Sequence, residues 1–139
     1  MIRSFADKET ERIAQRFYSR RFAAIERIAF RKKIREFEAI RFMLTDMQTE
    51  IDAARLLVYH ASNAQDRGQK FTVEAAQAKL FAAEVAMRTT VKCVQIFGGY
   101  GYVTDYPVER FMRDAKITEI YEGTSEIQRI VIANNLLKG

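Results

Sequence analysis

Proline occurs once in this chain of 139 residues, at Pro107, and every glycine lies at or after Gly68. Residues 1–67 therefore hold no strong helix breaker. One cysteine, Cys93, excludes an internal disulfide framework and fits a reducing compartment. With a single histidine, His60, beside that cysteine, a protein-built zinc site is not expected. No apolar run approaches the ~18 residues that span a bilayer, and no basic-then-apolar leader opens the chain. The expectation is a metal-free, cytoplasmic protein with no membrane partner.

What is present is 48% hydrophobic and 29% charged residues, the balance of a globular chain of single-domain length. The net charge of +5 is unevenly spread. Residues 1–40 hold eleven Lys or Arg against six Asp or Glu, whereas residues 41–139 hold twelve of each. A basic first third raises a module that binds RNA or a partner through Arg20, Arg21, Arg31, Lys32 and Lys33. The alternative is a solvated helix face on which acids alternate with bases, and on that reading nucleic acid is not expected. The shift in composition marks a seam.

Apolar residues recur at helical spacing almost throughout. After a short extended start at residues 1–6, Asp7 can cap a short helix with Ile13 and Phe17 on one face. A long helix is predicted over residues 21–62, with Ile25, Ile28, Ile34, Phe37, Ile40, Leu44, Met47, Ile51, Ala54 and Val58 in its stripe. Thr72 is placed to cap the next helix, whose stripe is Ala76, Leu80, Ala83, Met87, Val91 and Val94, and Gly98-Gly99 ends it. Pro107 opens a short helix over about 107–116. Glu122-Gly123 makes a turn, and Thr124 or Ser125 caps a final helix, Ser125 having Gln128 at capping-box offset. Ile127, Ile130, Val131, Asn134 and Leu137 form its predicted inner stripe. The fold class is all-α: a four-helix bundle with a short N-terminal helix and one long helix.

Three blocks carry more than periodicity. They are Gln95-Ile96-Phe97-Gly98-Gly99-Tyr100-Gly101-Tyr102, Pro107-Val108-Glu109-Arg110-Phe111-Met112-Arg113-Asp114-Ala115 and Ile120-Tyr121-Glu122-Gly123-Thr124-Ser125-Glu126-Ile127-Gln128-Arg129. In this order and spacing they closely resemble the C-terminal helical domain of the acyl-CoA dehydrogenases, from about residue 26 to the end. That family uses FAD to remove hydrogens from the α and β carbons of a fatty acyl thioester. The resemblance implies Glu122 as the base that takes the α proton and Gly123 beside the substrate thioester. It implies FAD contacts at Arg27, at Gln95, Ile96, Phe97, Gly98 and Gly99, and at Thr124, Ser125 and Glu126. The family's arginine reaches the nucleotide of a neighbouring subunit.

Two departures stand out. The family's Arg-x-x-Phe-Gly-Lys-Pro-Ile turn reads Arg27-Ile28-Ala29-Phe30-Arg31-Lys32-Lys33-Ile34 here, and its Phe-Gln pair reads Phe37-Glu38. An ionised glutamate cannot donate to FAD and repels its phosphates. Residues 1–33, through Met1–Ile13, Ser19-Arg20-Arg21 and Ala29–Lys32, resemble instead the opening of HigB/RelE-type toxins. The expected organisation is one domain, 1–139, with a foreign segment at 1–33 and the dehydrogenase-like bundle at 34–139. The function expected first is a chimeric, designed helical bundle without catalytic activity and with no cofactor. The alternative is an FAD-dependent dehydrogenase fragment with Glu122 as base. Because Arg31-Lys32-Lys33 are helix-compatible, the long helix is expected to run straight through them, leaving an arm that a second chain covers in an arm-swapped homodimer.

Overall fold

The computed structural model describes residues 33–138. A 3-10 turn, Ile34–Glu36, precedes α1 (Glu38–Asp66) and α2 (Thr72–Phe97). A second 3-10 turn, Gly98–Gly101, leads to α3 (Val108–Thr118) and α4 (Ser125–Leu136). The expected all-α architecture holds, with no strand among the described residues. Arg27, the short N-terminal helix and residues 21–32 of the predicted long helix lie outside the described residues.

The helix predicted to pass unbroken through residues 31–33 is not continuous. Lys33 is extended at ψ 141°, Phe37 is extended at ψ 129°, and only one 3-10 turn separates them. Glu36 and Phe37 donate their N–H groups to the carbonyls of Lys33 and Ile34. Helix propensity is worth only a few tenths of a kcal/mol per residue, and Ile34 at 54% exposure makes no packing that would enforce it. The ground for an exchanged helical arm falls with that continuity. The break also gives Glu38 a structural reason. It stands in the first turn of a helix whose N-cap, Phe37, offers no side-chain cap, so its carboxylate opposes the dipole.

At its other end α1 continues to Asp66, beyond the predicted stop at 62. Gly68, at φ 68°, closes it by donating to Gln65 O while Gln69 donates to Ala64 O. Thr72 is the first residue of α2, not its cap; that position belongs to Phe71, without a side-chain hydrogen bond. Gly98, at φ 57°, ends α2 as the sequence predicts.

Helix α2 is the shared wall, packed by α1, α3 and α4. The buried positions recur every seven residues: Met47, Ala54 and Ala61 on α1, Ala76 and Ala83, then Ala78 and Val85, on α2. Of the ten buried apolar residues described, seven are alanine. The helices therefore approach backbone to backbone, and the large side chains lie along the margins. A ladder of opposite charges ties three helices outside the seam. Arg88 lies 3.3 Å from Glu50 on α1 and 3.7 Å from Glu84, which also pairs with Arg129 on α4.

The inner face of α4 differs from its predicted stripe. Ile127, Ile130 and Leu137 are 48%, 52% and 84% exposed, and Asn134 is exposed too. Ser125 is buried, with Gln128 and Val131 half-buried. The alanine-rich wall of α2 accepts small and polar groups at close range, so hydrophobicity alone misplaces this face.

Candidate functional site

The turn between α3 and α4 is the most constrained piece of backbone in the described chain. Helix α3 ends as Glu119 donates to Lys116 O and Tyr121 donates to Ile117 O. The chain then reverses through Glu122 at φ 54° and Gly123 at φ 93°. Ser125 N–H closes the loop onto Glu119 O at 3.0 Å. Glu122 is the one non-glycine residue described with positive φ, a conformation that costs about 1 kcal/mol for an L-residue without a special reason. Its side chain is exposed.

Three side chains hold that reversal. Lys79 on α2 sends its ammonium to Thr118 O at 2.8 Å and to Gly123 O at 2.7 Å. The same nitrogen lies 5.9 Å from the Tyr121 ring centre. Gln128 Nε2 donates to Gly123 O at 3.2 Å and to Glu122 O at 3.4 Å. Thr124 caps α4 by accepting from Ile127 N–H, so the cap is Thr124 and not Ser125, and Gln128 serves the turn instead of completing a capping box.

Beside the turn lies a cavity of about 300 Å³ lined by Glu84, Lys116, Glu119, Ser125, Glu126 and Arg129 among others. Its cations are engaged: Lys116 lies 2.7 Å from Glu119, and Arg129 pairs with Glu84. Glu126 is held below the usual carboxylate range by its own backbone N–H, then by the Thr124 hydroxyl and the charges of Arg129 and Lys116. Ser125 Oγ is buried at the start of α4 and has no hydrogen-bond partner. Among the described residues no cluster of metal-ligating side chains occurs, and no helix is long and apolar enough to cross a membrane.

The predicted site residues fall into two groups. Glu122, Gly123, Thr124, Ser125 and Glu126 come together at the α3–α4 turn. Gln95 and Ile96 lie in the last turn of α2, Phe97 ends it at 43% exposure, and Gly98 and Gly99 follow as exposed backbone. Lys79 marks the first group on α2 and Phe97 the second, eighteen residues apart, or about 27 Å along the helix. One chain therefore does not bring the two groups together. Lys79 and Gln128 were not read as site residues from sequence. A single cation among Ala75, Ala76, Ala82 and Ala83, on the buried face of a helix, was the available signal for Lys79.

The family description "Acyl-CoA dehydrogenase, C-terminal domain" matches residues 12–137. The chain belongs to the acyl-CoA dehydrogenase family. It is 54% identical over 113 residues to the short-chain specific acyl-CoA dehydrogenase of Clostridium acetobutylicum, covering 81% of this chain and 30% of that protein. It is similar in structure to butyryl-CoA dehydrogenase from Megasphaera elsdenii, with TM-score 0.76 and 55% identity over 77% of this chain and 28% of that one. It is also similar to a chain in the structure of the electron transferring flavoprotein of Acidaminococcus fermentans, solved towards a mechanism of flavin-based electron bifurcation. There the TM-score is 0.76, with 54% identity over 78% of this chain and 28% of that one. The chain thus spans about 30% of the length of the relatives it matches.

These matches overturn the reading of the chain as a designed bundle without activity. The short-chain specific acyl-CoA dehydrogenase of Clostridium acetobutylicum keeps 54% of this chain's residues across the matched stretch. The family match also begins at residue 12, inside the segment 1–33 that resembles a toxin opening. Glu38, the departure that argued against FAD, is explained at the start of α1 by helix electrostatics.

Proposed function

We propose that this domain supplies the base and part of the flavin-binding surface of an FAD-dependent acyl-CoA dehydrogenase acting on short acyl thioesters. The observation that carries the reading is the Tyr121–Thr124 turn, in which an exposed glutamate sits at fixed positive φ between three side-chain clamps. Glu122 accepts the α proton on its carboxylate, and the electron pair of that C–H bond becomes the new carbon–carbon double bond. The β hydrogen leaves with its own electron pair. Bound FAD supplies the acceptor for that hydride.

Two features of this chain fit such a group. Ser125 Oγ is an unmatched polar atom at the N-terminus of α4, where backbone N–H groups favour an acceptor. Gly98 and Gly99 have open space where a Cβ would stand, so a nucleotide can lie against their backbone. The distance between the two places supports a cofactor held by different subunits at its two ends. Butyryl-CoA, added FAD and an electron-accepting dye test the reading in an enzyme that carries this domain together with the rest of the flavin site. Reduction should depend on the thioester and fall at least about 100-fold in Glu122→Gln. An unchanged rate in Glu122→Gln of that enzyme would end it.

We propose a homodimer as the working state, supported by the apolar residues left exposed. Nineteen large apolar side chains are exposed in the described residues, with Ile127 and Ile130 together on the outer face of α4. Light scattering at micromolar concentration should give twice the chain mass of 16.1 kDa. A mass of one chain would rule the dimer out.

A further inference from the structure

A cation placed under a turn with positive φ has more to do than neutralise charge. Lys79, half-buried on α2, sends its ammonium to two carbonyls that flank the reversal, one at the last residue of α3 and one directly after Glu122. Those carbonyls, Thr118 O and Gly123 O, belong to residues five apart in sequence and are drawn to a single nitrogen. No other described side chain hydrogen-bonds both Thr118 O and Gly123 O. Gln128 holds only its second half, through Glu122 O and Gly123 O, from the adjoining helix α4. Lys79 instead anchors the turn to the helix on which the whole bundle packs.

We infer that Lys79 is a positioning residue for Glu122, fixing the backbone from which the carboxylate reaches the substrate; this rests on the role of Glu122 proposed above. The reasoning is geometric. Glu122 at φ 54° occupies a conformation that the chain leaves unless its neighbours over-determine it. Gly123 O accepts from Lys79 and from Gln128, and the ammonium makes the shorter bond, 2.7 Å against 3.2 Å. Hydrogen bonds from a charged donor are roughly twice as strong as neutral ones. Without the ammonium, Thr118 O loses its donor on α2, and the Glu122 peptide units are free to rotate toward ordinary φ. The carboxylate then moves relative to the α carbon, while surfaces that bind the thioester stay in place.

Lys79→Met keeps the aliphatic stem and removes the ammonium; Lys79→Arg keeps a cation. In the full chain with FAD and butyryl-CoA, Lys79→Met should lower kcat about 10- to 100-fold with KM within about twofold. Its melting temperature should remain near that of the unaltered protein, and Lys79→Arg should recover part of the rate. Independently of turnover, amide exchange at residues 120–124 should quicken at least about tenfold in Lys79→Met, while exchange in the middle of α2 stays unchanged. Unchanged exchange at 120–124 overturns the inference. So does an unchanged kcat, or a loss in which kcat, KM and melting temperature move together. An unchanged rate in Glu122→Gln sinks the enzyme reading instead, and the exchange measurement then decides alone whether Lys79 holds the turn.

Discussion

Gly101 and Gly99 stand two residues apart and do opposite things. A Cβ on Gly101 would meet Val94 O at 2.6 Å and Val94 Cα at 2.9 Å, both backbone atoms of α2 that cannot swing aside. A Cβ on Gly99 would meet nothing within 4 Å. Gly101→Ala should therefore destabilise the protein by about 1–3 kcal/mol, seen as a drop of several degrees in melting temperature. Gly99→Ala should leave it nearly unchanged. Equal effects at the two positions would show that the close approach is not what holds the 3-10 turn. From sequence the pair Gly98-Gly99 was legible as the end of α2, because a glycine after an apolar stripe is a common stop. The need for Gly101 was not legible, since it depends on a through-space approach to Val94 and not on any local pattern.

At the scale of elements, α4 shows how an N-terminus is made and what pH does to it. Thr124 accepts from Ile127 N–H, and Glu126 holds its carboxylate against its own N–H and the Thr124 hydroxyl. Thr124→Ala should cost about 1 kcal/mol in a denaturant titration. Because the folded pKa of Glu126 is depressed, its contribution is fully present above the ordinary value of 4.5 and is lost as pH falls through the lower folded value. The stability gap between Thr124→Ala and the unaltered protein should thus shrink in acid, and a gap constant from pH 7 to pH 3 would refute this account. The ends of α2, α3 and α4 were readable because Gly98, Pro107 and Gly123 interrupt the pattern. The start of α1 was not, since Lys33–Phe37 are all acceptable in a helix and no glycine or proline marks the turn there.

For the whole molecule, the sequence motifs at 95–102, 107–115 and 120–129 led to the family because spacing between helices is written in the chain. What they did not disclose is how the two site groups sit about 27 Å apart along one helix, since linear order carries no such distance. The inward face of α4 was misread for a related reason: Ile127 and Ile130 look like core residues, yet the seam beside them is filled with alanine. That seam has a calorimetric consequence. Heat capacity rises on unfolding in proportion to the apolar surface newly wetted. A domain in which seven of the ten buried apolar residues described are alanine, and nineteen large apolar side chains are exposed, wets less when it melts than one with a core of Leu and Phe. Unfolding of the described domain should therefore show a heat-capacity change below the roughly 12–15 cal/mol/K per residue of ordinary domains, and a calorimetric scan at or above that range would refute it.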